Sequence, residues 1–281
     1  MKVAVLLRPN QSITNDRCRA IGEGLASRCK VHYAPRSDWQ RETPDLLVQA
    51  GFAMTLPLRD QIEARRPFLI MEEPLWRPNP EFSLVSASFG YNGLTGGDWH
   101  PKSPEHERPH PLLMPMNPVT PAPGSRVVIF GQKPNDHSLR GSDHVAWIQE
   151  QMIKYPRHEF RHHPLMAQER QEPLDDVLDR CWVAVTYSST VGAEALIAGV
   201  RSNPDCVQST AYNVTDREQW IHDLSWHNFT LDEFASVPVM KYILSGFQEA
   251  WELARAGIVE HPRDKIDKAA ITQRYYDAFG N

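Results

Sequence analysis

The sequence predicts an α/β protein of two Rossmann-like halves facing a cleft, with C-terminal helices closing over them. Three observations lead there. Short apolar runs alternate with helical stretches on both sides of the chain's middle. Between them, residues 114–125 read MPMNPVTPAPGS, a proline-rich linker that continues neither a helix nor a central strand. Beyond residue 232 apolar residues recur at spacings of three and four, a helical pattern. The expected division is residues 1–115, residues 126–230 and a helical tail over residues 231–281.

In the first half, strands are expected at residues 3–7, 30–34, 45–49 and 68–71. Helices are expected at residues 16–28, where Ile21 and Leu25 share a face, and at residues 56–66. After the linker come strands at residues 126–130, 158–162 and 182–186, with helices at 143–154, 173–180 and 190–198. Such alternation builds βαβ units around a mostly parallel sheet. Ligands of open parallel sheets sit beyond the carboxyl ends of the strands, so the loops there are where chemistry is expected.

The bulk numbers set limits. A chain of 281 residues, 41% hydrophobic, can build one large core or two modest ones. No apolar run approaches the roughly 20 residues that cross a bilayer, so no membrane insertion is expected. The opening MKVAVLLRPN reads as a buried first strand and not as a signal peptide, which points to the cytoplasm. Cys18, Cys29, Cys181 and Cys206 are widely spaced and include no Cys-x-x-Cys, so they read as small buried residues, not as a zinc site or a disulfide framework. The net charge of −5 argues against a generic nucleic-acid coat protein, yet leaves room for a local basic groove.

The strongest chemical signal is VAVTYSSTVGAEAL, beginning at Val183. A buried strand ends in Ser188, Ser189 and Thr190, and a helix starts at once. Free backbone N–H groups and the positive helix end converge there with the hydroxyls, a setting for a phosphate or diphosphate. Gly192 would let a ligand approach the backbone, and Glu194 would accept hydrogen bonds from a ribose. The plainer reading, Thr190 as a helix cap, accounts for one hydroxyl and not three. A second signal is His162-His163-Pro164, where proline ends a strand and His163 would stabilise charge building on a leaving group. A histidine beside proline is more often structural. A third is the loop GQKPNDHS, beginning at Gly131, which has neither the dinucleotide fingerprint nor a P-loop.

Together these pieces, strand-GQ-x-x-x-D-x-S, then His-Pro, then SSTVG-x-EAL, resemble the donor half of GT-B glycosyltransferases. The likeness is to the capsule polysaccharide transferases that use activated acidic sugars, and it covers residues 126–206. It implies that His163, Ser188, Ser189 and Thr190 grip the phosphates of a nucleotide sugar, with Gln132 and Glu194 in looser roles. The family's Gly-x-Pro-Val after the helix is replaced here by GVRSNP at residues 199–204. That departure leaves the following strand, and any base contact made there, open.

The first half, with its Glu-rich strand end, the run GYNGLTGGDW from Gly90, and Trp226-x-x-Phe229, loosely resembles small phage-encoded transferases. In this family that half supplies the acceptor and a base. Asp98 and Glu72 stand level as candidate catalytic bases, with Glu73 beside them. Glu72 and Glu73 read equally as a solvated strand end, and Asp98 as a turn residue. Trp76, Arg77, Tyr91, Trp99 and His100 would suit a stacked sugar or a flipped base, or simple packing. No metal-ligand spacing is present, so no metal is expected, and the only co-substrate implied is a nucleotide sugar.

The expected activity is therefore sugar transfer from a nucleotide sugar to a hydroxyl acceptor. Hydroxymethylated pyrimidine in phage DNA is slightly favoured as that acceptor, with a capsule or cell-surface glycan as the alternative. A non-catalytic nucleotide-binding module and a phosphoalcohol transferase are the remaining readings.

Overall fold

The computed structural model describes residues 1–9, 11–40, 43–75, 81, 84–94, 126–260 and 267–280. Its strands are β1 (Lys2–Leu7), β2 (Lys30–Pro35), β3 (Leu46–Ala50), β4 (Phe68–Glu72), β5 (Ser86–Tyr91), β6 (Arg126–Phe130), β7 (His158–Arg161), β8 (Cys181–Thr186), β9 (Arg201–Pro204) and β10 (Asn228–Thr230). Its helices are α1 (Ser12–Ala26), α2 (Leu56–Glu63), α3 (His144–Lys154), α4 (Leu174–Leu178), α5 (Val191–Ile197), α6 (Arg217–Ser225), α7 (Val237–Ser245), α8 (Phe247–Arg255) and α9 (Lys268–Phe279). The chain is mixed α/β and divides into two compact units. The first is Met1–Leu113 with His222–Pro262, and the second Met114–Ile221 with Arg263–Asn281.

The first unit holds a six-stranded sheet in the order β10-β5-β4-β3-β1-β2. Strands β1, β3 and β4 read as nearly continuous apolar runs because both faces are covered. Val3, Val5, Leu46, Val48, Leu69 and Met71 pack with Cys18, Ile21 and Leu25 of α1. Their alternate neighbours Ala4, Leu6, Leu47, Phe68 and Ile70 pack on the other side with Leu58 of α2. Each such side chain withdrawn from water contributes about 1.5–3 kcal/mol. Helix α2 starts at Thr55, whose side chain accepts from the Leu58 N–H at 3.3 Å.

The second unit holds a four-stranded parallel sheet in the order β7-β6-β8-β9. Val128, Phe130 and Ala184 face α4 and α5, while Ile129 and Val185 face α3 and Tyr275 of α9. Asp143 caps α3, accepting from the Ala146 N–H.

Three points refine the expected fold. The first sheet is mostly parallel, as expected, but β5 runs antiparallel to β4, and β10 antiparallel to β5. A strand does follow α5: β9 pairs parallel to β8 in spite of its polar sequence. It is an edge strand, where polar side chains meet solvent and a terminal proline is tolerated. Asn203 of this strand donates to the Tyr155 hydroxyl at 3.0 Å.

The tail is no separate helical body laid over both sheets. Phe229, Phe234, Met240, Tyr242 and Ile243 enter the first unit's core. Two hydrogen bonds fix this segment there, Tyr91 Oη to Ile243 O at 2.8 Å and Asn92 Nδ2 to Ala250 O at 2.7 Å. Helix α9 belongs to the second unit, where Tyr275 is fully buried.

Candidate functional site

In the second unit the order β7-β6-β8 sets side by side the three loops that the sequence singles out, each after a parallel strand. Gln132 follows β6 and is 5% exposed. Its Oε1 accepts from the Ser188 N–H at 2.8 Å, and its Nε2 donates to Ser138 Oγ at 3.0 Å and to Ser188 Oγ at 3.1 Å. The Ser188 hydroxyl donates to Ser138 O at 2.8 Å. Gln132 and Ser188 are thus committed to each other and act as a latch between two loops.

Two further residues support the latch, Asp136 of the GQ-x-x-x-D-x-S motif and His144, which the sequence did not flag. Asp136 Oδ1 accepts from the Ser138 N–H at 2.9 Å, folding the loop into a short turn over His137–Leu139. The Gln132 N–H donates to His144 Nε2 at 2.7 Å, and that imidazole stacks on Trp147 at 5.2 Å between ring centres. His144 Nε2 is an acceptor here, so this ring is neutral. No local motif marks His144, because its role depends on α3 docking against β6.

Ser189 and Thr190 are differently placed. Both are half-buried. Ser189 Oγ accepts from the Val191 N–H at 3.3 Å, which leaves its own proton free to donate. Thr190 sits in helical conformation at the start of α5 with no side-chain capping bond, so capping does not account for its hydroxyl. Among the described residues no acceptor takes the backbone N–H of Ser189 or of Thr190. Helix α5 spans only 7 residues, so its dipole is a small addition to these four donors.

Gly192 is corrected from a ligand-approach residue to a packing residue. It is buried, and a Cβ there would lie 3.0 Å from Ser202 Oγ and 3.2 Å from both Ala211 Cβ and Thr186 Oγ1. Its missing side chain lets α5 lie on β8 and β9. Glu194 stands half-buried in the first turn of α5.

The two adjacent histidines have separate tasks. His162 Nδ1 lies 3.0 Å from the Tyr275 hydroxyl and its ring meets Phe160 edge-on, so it holds α9 to the sheet. His163 Nδ1 accepts from the Leu165 N–H at 3.1 Å, which puts the imidazole proton on Nε2. Burial lowers the His163 pKa, the nearby Lys133 charge lowers it further, and Asp136 opposes them. His163 is therefore a neutral donor with a lysine close by. Lys133 fills an unspecified position of the GQ-x-x-x-D-x-S loop.

The candidate bases lie in the first unit. Glu72 ends β4, half-buried and in register with Ser88, while Glu73 is exposed. Asp98 lies outside the described residues, as do Trp76, Arg77, Trp99 and His100. Tyr91 is corrected from a stacking platform to a core residue, 2% exposed with its hydroxyl donated to Ile243 O. Trp226 and Phe229 are core as well. Among the described residues no group of three or more His, Cys, Asp or Glu could hold a metal ion, and no helix is long and apolar enough to cross a membrane.

No family model and no curated protein matches the chain. Among solved structures it is similar to Thermosulfurimonas dismutans KpsC, beta Kdo 2,4 transferase, with a TM-score of 0.44 and 18% identity over 72% of this chain and 78% of that one. It is also similar to Thermosulfurimonas dismutans KpsC, beta Kdo 2,7 transferase, with a TM-score of 0.48 and 11% identity over 91% of this chain and 99% of that one. These likenesses are distant.

Proposed function

We propose that the chain is a glycosyltransferase that moves a sugar from a nucleotide-activated donor to a hydroxyl of a glycan. One observation carries the donor side. The free N–H groups and hydroxyls of Ser189 and Thr190 sit at the carboxyl edge of a parallel sheet, on a turn locked by Gln132 and Ser188. Four donors on a fixed turn suit a phosphate, with no reorganisation when charge develops. His163 Nε2–H and the Lys133 ammonium follow the two neighbouring strands and add a neutral donor and a positive charge.

In the proposed inverting reaction an acceptor oxygen attacks the anomeric carbon and the bond to the donor phosphate breaks. The electron pair goes to that phosphate, where these donors stabilise it, and the acceptor proton goes to a carboxylate. Glu72 is the candidate base among the described residues, with Asp98 the alternative outside them. The glycan acceptor is favoured over modified DNA because the resemblance at residues 126–206 is to capsule polysaccharide transferases. By contrast, Tyr91, Trp226 and Phe229, on which the DNA reading partly leaned, are buried in the first unit's core.

A thermal-shift panel of nucleotide sugars on the native chain and on Ser189→Ala tests the donor side, since a ligand that binds the folded state raises the midpoint. One nucleotide sugar should stabilise the native chain, and Ser189→Ala should lose most of that shift. Transfer from that donor is then assayed on oligosaccharides and on hydroxymethylated DNA. Transfer to DNA alone would overturn the glycan acceptor, and no stabilisation by any nucleotide would overturn the function.

A further inference from the structure

The parallel strands of the first unit also bring a charged pair to their carboxyl edge. Arg8 follows β1 and Arg36 follows β2, and both guanidiniums donate to one carbonyl, Ala50 O at the end of β3. The backbone just after Ala50 turns in the left-handed region, which favours Gly51. That residue has φ of +68°, and a Cβ on it would lie 2.8 Å from Arg8 Nη2. The loop below is braced by Asn15, which accepts from the Arg8 N–H at 2.7 Å and donates to Arg8 O at 2.8 Å.

Like charges do not gather on one carbonyl without a reason. Arg8 Nη1 donates to Gln11 Oε1, a neutral group, and among the described residues neither arginine has a carboxylate partner. The Nε atoms of both are buried without a hydrogen-bond partner. Burial lowers the Arg8 pKa, and burial with the Arg8 charge brings Arg36 down to about 10. The β1–α1 turn adds no negative charge, for α1 has no acidic residue in its first turn and no side-chain cap. One peptide carbonyl needs only a neutral donor. Two desolvated guanidiniums with no counter-charge call for an anion.

We propose that Arg8 and Arg36 together receive one oxyanionic group of the acceptor, a sugar carboxylate or a phosphate ester. This rests on the transfer reading above and gives its acceptor a chemical class. The same edge carries Glu72: Ala50 pairs with Met71, and the Gly51 N–H donates to Met71 O at 2.9 Å. An acceptor anchored by its anion would present a neighbouring hydroxyl along the edge towards β4.

The experiment is modification of the full chain by phenylglyoxal, with peptide mapping of Arg8 and Arg36, in the presence of glucuronate, inorganic phosphate or glucose. Glucuronate or phosphate should slow modification of both arginines about tenfold, as expected for a charge-assisted contact. Glucose should not protect. Protection by glucuronate assigns an acidic sugar, and protection by phosphate alone a phosphorylated acceptor. Arg36→Gln, which keeps the Arg8 bond to Ala50, should lose the protection at Arg8 and keep the nucleotide thermal shift.

Equal rates with and without either anion, or equal protection by glucose, would overturn the proposal. Because the nucleotide shift is read separately, the two failures are distinguishable. A nucleotide shift without arginine protection sinks only the anion pair, and protection without any nucleotide shift sinks the transfer reading and with it the assignment of the anion to an acceptor.

Discussion

The Ser188 N–H donates to Gln132 Oε1 at 2.8 Å, so one amide ties the end of β8 to the end of β6. The same amide's Nε2 reaches Ser138 and Ser188, and the Ser188 hydroxyl closes the loop on Ser138 O. A buried network with every member satisfied is rigid, whereas a broken one leaves costly unpaired groups. Position is thus supplied by Gln132 and Ser188, and the phosphate donors proposed are the next two residues along.

Gln132→Ala should therefore damage both stability and binding. It strands the Ser188 N–H and the Ser138 hydroxyl, a cost of about 1–3 kcal/mol. Urea unfolding should show the loss, and the nucleotide thermal shift should fall with it. Gln132→Glu keeps the acceptor for Ser188 but loses both donors and adds a negative charge beside the proposed phosphate. It should be folded better than the alanine variant and bind no better. An unchanged urea midpoint for Gln132→Ala would show that the latch is not formed.

Ser189 and Thr190 should separate stability from affinity. Ser189 caps the Val191 N–H, so Ser189→Ala should lose about 0.5–1 kcal/mol of stability. Thr190 makes no capping bond, so Thr190→Ala should stay within about 0.5 kcal/mol of the native chain, as surface substitutions usually do. Each should weaken donor binding about tenfold or more, the worth of one hydrogen bond to a charged group. Titration calorimetry with the stabilising nucleotide checks this. Full affinity in Thr190→Ala would remove that residue from the phosphate grip.

What the sequence made legible follows from local pattern. The apolar runs at β1, β3, β4, β6 and β8 announce strands because both faces of each sheet are covered. The turn at Ser188 is readable because strand, hydroxyls and helix are contiguous. Strand β5, reading SASFGY, carries small and polar residues, and it is held by contacts from elsewhere. Arg17 Nε donates to Ser86 O, and Ser88 Oγ donates to Glu73 O. β10 has three residues and exists by pairing Phe229 with Ala87, a distant partner that no local window contains. In the sequence Gln132 reads as a loose donor contact, but its latch depends on two loops meeting. Arg8 and Arg36 look like isolated surface charges until β1 and β2 set them side by side.

Gly192→Ala tests the packing of α5. In an exposed helix this change stabilises by up to about 1 kcal/mol. Here the new methyl would press on Ser202 Oγ, Ala211 Cβ and Thr186 Oγ1, atoms of two strands and a buried segment. Overpacking of this kind costs about 1–3 kcal/mol, so the net effect should be destabilising. A raised thermal midpoint would mean that α5 is not seated on β9.

Acid should loosen α9 through His162. Burial lowers its pKa below 6.5, so the folded state favours the neutral ring. The unfolded chain takes up the proton first as pH falls. Stability from this group is then complete above about pH 6.5, the unperturbed histidine value. It declines as pH drops towards the folded pKa. Tyr275 stays protonated throughout, since burial raises its hydroxyl pKa. Replacing both partners, His162→Leu with Tyr275→Phe, removes the titration without stranding a buried polar atom. Thermal midpoints at pH 7 and pH 5 should fall further in the native chain than in the double variant. His227, which burial brings down to about 4, and His163, whose pKa is also lowered, contribute a slope that remains in both proteins. Parallel midpoint curves would show that His162 does not couple α9 to protonation.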